Sequence, residues 1–154
     1  MQADDCVEAW RSLLLAHSGA VRAIEADLAA EGKIPLSWYD VLLELNVAPQ
    51  RRLRMQDLAA RVLLSRTRVS RLVDDIVQAG LVERIPDPVD GRATFAAITA
   101  KGRQELRKTA PLYLASIQEH FTSLFSAKER AELTALLQRV ARRHAAARAK
   151  TTTR

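Results

Sequence analysis

The side chains best suited to binding chemistry lie close together, within residues 65–71 of this 154-residue chain. Ser65 is a typical N-cap residue, and the apolar positions that follow it recur at helical spacing. The polar residues that remain on the outer face of this helix are Arg66, Thr67, Arg68, Ser70 and Arg71. Arginine can donate two hydrogen bonds to guanine, and Ser and Thr hydroxyls can bind bases or phosphates. The pattern predicts a helix that binds DNA with its first two turns.

The distribution of charge points to the same partner. The chain carries a net charge of +6, and residues 51–71 hold seven arginines, including Arg54, against the single acid Asp57. Residues 139–154 hold six basic residues and no acid. Basic blocks on an otherwise acidic chain suggest a polyanion partner. For the C-terminal block we favour a solvated basic surface, and for the middle block we favour a nucleic-acid contact because of the motif that contains it.

The surrounding sequence predicts a mainly α fold with a small β-hairpin. Helical periodicity or capping signals predict helices over 7–30, 37–48, 56–62, 65–79, 99–125 and 126–145, and β-branched and aromatic residues predict strands over 81–85 and 94–98. We expect Ser37 to cap the second helix, Gly102 to weaken the helix after Thr99, and Pro111 to kink it. The order of helix, short helix, capped helix and hairpin is that of a winged helix-turn-helix.

The turn of the hairpin supplies a second candidate contact. Arg92 follows Gly91 at the tip, where its guanidinium can enter a narrow minor groove. Asp90 precedes them and can hold that guanidinium in place. These residues complete the predicted DNA-binding set, which comprises Arg54, Ser65, Arg66, Thr67, Arg68, Ser70, Arg71, Asp90 and Arg92.

The chain resembles the multiple-antibiotic-resistance regulator (MarR) family over nearly its whole length. The resemblance rests on LAARVLLSRTRVSRLVDDIVQAGLVERIPDPVDGRATFAAIT at 58–99, with the family's D-x-R wing signature at 90–92 and its L-T-x-x-G motif, as I-T-A-K-G, at 98–102. The family's recognition-helix arginine falls on Arg71. The resemblance implies a single MarR-like domain over 1–154, with a winged helix-turn-helix lobe over 36–100 and dimerisation helices over 3–32 and 101–145. It also implies a homodimeric repressor of a pseudo-palindromic operator that a small ligand or an oxidant releases. We expect 146–154 to be a disordered basic tail.

The residues also support a homodimer without the resemblance. The helices over 7–30 and 126–145 carry more apolar surface than one winged helix can cover, and the last helix has its stripe at Leu133, Leu136, Leu137 and Val140.

Outside the predicted DNA-binding set, the sequence gives weaker indications of ligand binding, redox chemistry or catalysis. The resemblance implies an effector pocket near the first two helices, where Trp10, His17, Trp38 and Tyr39 suit an aromatic or phenolic ligand, although core packing is the better interpretation of each. Cys6 lies among Asp4, Asp5 and Glu8, whose charges disfavour a reactive thiolate. The sequence has no metal-ligand spacing and no nucleophile or phosphate-loop motif. We therefore predict a protein that is not an enzyme and needs no metal or cofactor.

Two other functions remain open. A nonspecific architectural DNA-binding protein would use the basic tail as its main contact but needs no base-reading residues at 66–71. A protein-interaction winged helix would need no cationic face. The absence of a signal-peptide pattern and of a long apolar stretch predicts a cytoplasmic, nucleoid-associated protein with no membrane contact.

Overall fold

The computed structural model describes residues 2–62 and 64–151, with side chains for 7–62 and 64–143. Contacts divide the chain into two compact units, one ending at Ser116 and one beginning at Ile117. The helices and strands are α1 (Gln2–Ala30), α2 (Leu36–Val47), β1 (Arg52–Arg54), α3 (Met55–Arg61), α4 (Arg66–Gln78), β2 (Val82–Pro86), β3 (Thr94–Ile98), α5 (Ala100–His120) and α6 (Ala127–Thr151). The mainly α class is confirmed. Each of these helices is too short or too polar to cross a membrane.

The core of the first unit packs α2, α3 and α4 against a small sheet. Val69, Val73 and Ile76 form the buried face of α4, and Leu42 and Leu45 of α2 are fully buried in the same cluster. This burial leaves the opposite face of α4 free for its polar side chains. The apolar spacing in the sequence therefore determines which residues α4 presents outward.

The sheet has one strand more than the predicted hairpin. β3 pairs antiparallel with β2 and, along its other edge, with β1, in the order β1-β3-β2. β1 is absent from the predicted strands, because three residues are too few for a clear alternating pattern. The wing is the hairpin of β2, β3 and the loop between them, residues 82–98. The pairing of Arg54 with Phe95 connects the segment before α3 to this wing.

The start of α5 is locked to the end of α4. The Thr99 hydroxyl donates to the Gly80 carbonyl at 2.8 Å and accepts from the Gly102 amide at 3.0 Å. Gly80 follows α4 with a φ of 75°, the left-handed conformation in which glycine commonly ends a helix. A side chain at Gly102 would overlap the Leu81 carbonyl oxygen. Gly102 is therefore a close-packing position, which corrects the expectation that it weakens the helix.

Several helix ends differ from the predicted ones. Ser37 is not the cap of α2, because that helix begins at Leu36 with Pro35 at the N-cap. The helix through Pro111 ends at His120 and is followed by a single 3₁₀ turn at Thr122–Leu124, before the predicted limit of 125. The backbone of α6 is helical as far as Thr151, within the segment predicted as a disordered tail, and residues 152–154 lie outside the described part. Ser126 and Glu129 form a capping box at the start of α6 through reciprocal hydrogen bonds.

Large apolar side chains remain exposed on α1 and on α6. Ile24 and Leu28 of α1 are buried, but Trp10 is 61% exposed and Leu14 is 48% exposed. In the second unit, Leu136 is 54% exposed, and Leu137 and Val140 of the same helix are also exposed. The large apolar side chains on each of these two helices are therefore left without cover from the rest of the described chain.

The close contact of Gly102 with Leu81 predicts that substitution by alanine has opposite effects on stability at Gly102 and at Gly19. We expect Gly102→Ala to lower the free energy of unfolding by about 1–3 kcal/mol, because the new Cβ overlaps the Leu81 carbonyl and lies 2.8 Å from Ile98 Cγ1. The control is Gly19→Ala within α1, where a Cβ meets nothing within 4 Å. This substitution should raise the free energy of unfolding by up to about 1 kcal/mol, because Ala has the higher helix propensity. Urea unfolding at equal protein concentration measures both changes. Equal stability of Gly102→Ala and the native chain would contradict the close approach.

Candidate nucleic-acid interface

The N-terminal turns of α4 form a cationic surface. The Ser65 hydroxyl accepts a hydrogen bond from the backbone amide of Arg68 at 3.3 Å, so Ser65 is the N-cap that the sequence predicts. Arg66, Thr67, Arg68 and Arg71 are all exposed. Three guanidinium groups and the positive end of the helix dipole therefore lie within two turns, which favours an anionic ligand.

Ser70 has a different environment from its neighbours on α4. It is half-buried, and its hydroxyl and its carbonyl oxygen each accept a hydrogen bond from Arg84 Nη2 at 3.2 Å. Arg84 of β2 also donates to Asp74 Oδ1 from Nη2 at 2.8 Å and from Nε at 3.2 Å. One arginine therefore links two turns of α4 to the wing. It also pairs with Asp74, a carboxylate that would otherwise repel phosphate.

The wing tip is shaped by hydrogen bonds to its backbone. Asp90 Oδ1 accepts from the backbone amide of Arg92 at 3.1 Å, and the Asp90 carbonyl accepts from Ala93 at 2.9 Å. This corrects the expectation that Asp90 holds the guanidinium of Arg92. Short Asp side chains commonly fix turns in this way, by bonding the backbone two residues further on. The Arg92 side chain is exposed.

The base of the wing contains a buried carboxylate, Asp87. Its Oδ1 accepts from the backbone amides of Val89 at 2.9 Å and Asp90 at 3.3 Å, and its Oδ2 lies 2.5 Å from Arg54 Nη2. The hydrogen bond from Val89 is the main cause that lowers the pKa of Asp87, and Asp90 and Arg54 add to it. Arg54 also lies over the Phe95 ring at 5.7 Å from the ring centre.

A cleft of about 450 Å³ brings part of the predicted set together. It is lined by Arg54, Met55, Gln56, Arg66, Ser70, Arg84, Asp90, Arg92, Ala93 and Thr94. The predicted residues Arg54, Arg66, Ser70, Asp90 and Arg92 thus converge on one surface, although they come from β1, α4 and the wing.

The four candidate effector residues have mixed environments. Trp10 and His17 are exposed on α1, whereas Trp38 packs against the core and Tyr39 is buried. The Tyr39 ring lies 4.4 Å from the ring of Tyr113, and burial raises the pKa of both phenols. Within the described chain, two of the four therefore lie at the surface. The Cys6 side chain lies outside the described side chains.

Comparison with known proteins identifies this fold and its family. The MarR family model matches residues 33–93. The structure of AbsC, a MarR family transcriptional regulator from Streptomyces coelicolor, superposes with a TM-score of 0.84 and 30% identity over 95% of this chain and 97% of that one. The chain belongs to the MarR family. A second MarR family regulator from that organism, solved in complex with DNA, superposes with a TM-score of 0.83 and 28% identity over 92% of this chain and 88% of that one.

A curated sequence relative gives a shorter match. The transcriptional regulator MhqR of Bacillus subtilis is 35% identical over 86 residues, which are 56% of this chain and 59% of that protein. The chain thus spans little more than half the length of the curated relatives it matches. MarR family members are transcriptional regulators and not enzymes, in agreement with the class predicted from the sequence.

Two positioning residues of this MarR-type lobe were missed by sequence reasoning. Arg84 and Asp87 lie outside the predicted set because their partners are distant in sequence or are backbone groups. The one available signal was Asp87 before Pro88, since Asp is a common turn former. Nothing in the local pattern of β2 indicates that Arg84 pairs with Asp74.

The bridge made by Arg84 has a measurable contribution to stability. We expect Arg84→Gln to lower the free energy of unfolding by about 1 kcal/mol, because four hydrogen bonds from a half-buried side chain are lost and the ionic part is screened. The control is Arg61→Gln, which removes a more exposed ion pair to Glu44 at 3.4 Å and should cost less than about 0.5 kcal/mol. Urea unfolding compares the two variants. Equal losses would show that Arg84 is an ordinary surface arginine.

Proposed function

We propose that this protein is a sequence-specific regulator that binds double-stranded DNA, with α4 in the major groove and the wing over the adjacent minor groove. The observation that carries the proposal is the set of exposed side chains Arg66, Thr67, Arg68 and Arg71 on a helix whose opposite face is buried. Base-edge recognition needs such side chains at the N-terminal end of a rigid helix. A related MarR regulator, 28% identical, was solved with DNA, which supports the same partner here.

The wing supplies the second part of the proposed contact. Arg92 is exposed at a tip whose backbone is held by Asp90, so its guanidinium can enter the minor groove without ordering a loose loop. In this proposal Asp90 acts through the turn, and Ser65 acts as the cap that presents the amides of α4. Arg54 and Ser70 line the same cleft, with side chains already engaged by Asp87 and Arg84.

The active form in this proposal is a homodimer on a pseudo-palindromic operator. The exposed apolar side chains of α1 and α6, such as Trp10 and Leu136, are best covered by a second copy of the chain. Two-fold symmetry then places two copies of α4 on half-sites about one helical turn apart.

Repression and ligand release form the finer part of the proposal. A repressor blocks a promoter by occupying its operator, and an aromatic or phenolic effector that binds better to the free dimer would release it. Trp10, His17, Trp38 and Tyr39 are the proposed effector residues. The buried Tyr39 and the half-buried Tyr113 offer apolar ring surface on the side of the lobe formed by α2 and α5. The proposed place of action is the cytoplasm, on the nucleoid.

The test begins with a binding site selected from a random duplex library by the purified native protein. We expect Arg68→Ala and Arg71→Ala each to weaken binding to that duplex by about 1–3 kcal/mol if a base contact is lost. Because both side chains are exposed, the free energy of unfolding should change by less than about 0.5 kcal/mol. Fluorescence anisotropy at fixed salt measures affinity, and urea unfolding measures stability.

Arg22→Ala is the matched control, since it removes the same charge from an exposed position on α1. Its affinity for the selected duplex should stay close to that of the native protein. Native affinity in both α4 variants would refute the assignment of the recognition helix. Light scattering on the same samples should give the mass of two chains, and the mass of one chain at micromolar concentration would refute the dimer.

A further inference from the structure

Asp87 occupies an unusual place for a carboxylate beside a cationic cleft. It is only 4% exposed, and its Oδ1 accepts the backbone amides of Val89 and Asp90 at the start of the wing loop. Its own backbone amide donates to the Ala93 carbonyl at 3.0 Å on the returning side of the loop. Asp87 therefore joins both sides of the wing loop through its backbone and its side chain.

The partner of this carboxylate comes from a different part of the chain. Arg54 is the last residue of β1 and directly precedes α3, and its Nη2 lies 2.5 Å from Asp87 Oδ2. Backbone pairing places Arg54 opposite Phe95, and the guanidinium lies over the Phe95 ring. The strand pairing, the ring contact and the ion pair all restrict where the arginine can point.

We propose that Arg54 and Asp87 form a clamp that positions the wing for DNA binding, and that Arg54 acts through the wing rather than through a phosphate contact of its own. The clamp connects the start of the helix-turn-helix to the loop that carries Arg92. Its function in recognition rests on the DNA-binding function proposed above, but its effect on the wing can be measured without DNA.

Simple electrostatics and the clamp predict opposite effects of one substitution. Asp87 is a negative charge next to the proposed DNA surface, so its removal should strengthen binding if charge alone matters. If Asp87 holds the wing, its removal should weaken binding, because the tip must then be ordered when the complex forms. The sign of the change therefore separates the two accounts.

The first measurement uses the free protein and three variants. Amide hydrogen exchange, followed by nuclear magnetic resonance, should be about ten-fold faster at Val89 and Asp90 in both Arg54→Gln and Asp87→Asn, because charged hydrogen bonds that hold the loop are lost or weakened. The amides of Ala96 and Ile98 in β3 should keep native protection, which shows that each variant is folded. Arg52→Gln is the matched control. It removes the same charge from the same strand, next to the same Phe95 ring at 4.7 Å, and leaves the ion pair intact.

The second measurement is affinity for the selected duplex over a range of salt concentrations. We expect Arg54→Gln and Asp87→Asn each to weaken binding about five- to ten-fold, with the double variant no weaker than the worse single variant. The slope of log affinity against log salt concentration should be the same in Arg54→Gln as in the native protein, because the clamp gives Arg54 no phosphate contact. Loss of a direct phosphate contact would lower that slope by about one. Arg52→Gln should bind within about two-fold of the native protein.

Some outcomes would overturn the clamp while leaving DNA binding intact. Native or tighter binding by Asp87→Asn would do so, as would native exchange at Val89 and Asp90 in Arg54→Gln. A lower salt slope in Arg54→Gln with native wing exchange would make Arg54 a phosphate contact. By contrast, failure of the native protein to select any duplex would refute the proposed function, and the exchange measurement would still decide whether the clamp exists.

Discussion

The hydrogen bonds from Arg84 to Ser70 and Asp74 fix the position of the wing relative to α4, the two parts of the protein that we propose contact DNA. Without these bonds, α4 and the wing would be joined mainly by the short connection at residues 79–81 and by the apolar core beneath them. Arg84 makes the relation specific, because its planar guanidinium can satisfy a carbonyl, a hydroxyl and a carboxylate only at a defined distance and angle. A groove-binding surface built from separate elements depends on such a fixed relation.

The arginine-rich segment divides into residues with different physical roles. Arg52 and Arg54 lie over Phe95, and Arg54 also pairs with Asp87. Arg61 pairs with Glu44, while the arginines of α4 remain exposed. The arginines in the first part of the segment thus stabilise the lobe, whereas those of α4 have exposed guanidinium groups that can donate to a ligand. A count of positive charge would assign all of them to DNA, whereas their partners separate the arginines that build the site from those available to contact DNA.

The parts of the fold encoded by local patterns were predictable from the sequence. Ser65 caps the N-terminus of α4 as expected, since capping depends on residues only a few positions apart. β3 covers the predicted residues 94–98. The corrections concern contacts between distant segments. Gly102 looked like a weak helix position until the Leu81 carbonyl was found against it, and the partner of Asp90 depended on the conformation of the turn. The same holds for the candidate site. The exposed face of α4 could be predicted from the local apolar spacing, whereas the contacts of Arg84 and Asp87 could not.

If α4 recognises base sequence, the protein must distinguish its selected duplex from other DNA by a large ratio of specific to nonspecific affinity. The native protein would be titrated against its selected duplex and against a scrambled duplex of equal length and base composition, at one physiological salt concentration. We expect the protein to bind the selected duplex more tightly than the scrambled one by a factor of about 10³ or more. A ratio within about three-fold of one would contradict base reading by α4 and favour a nonspecific architectural protein held by its basic surface.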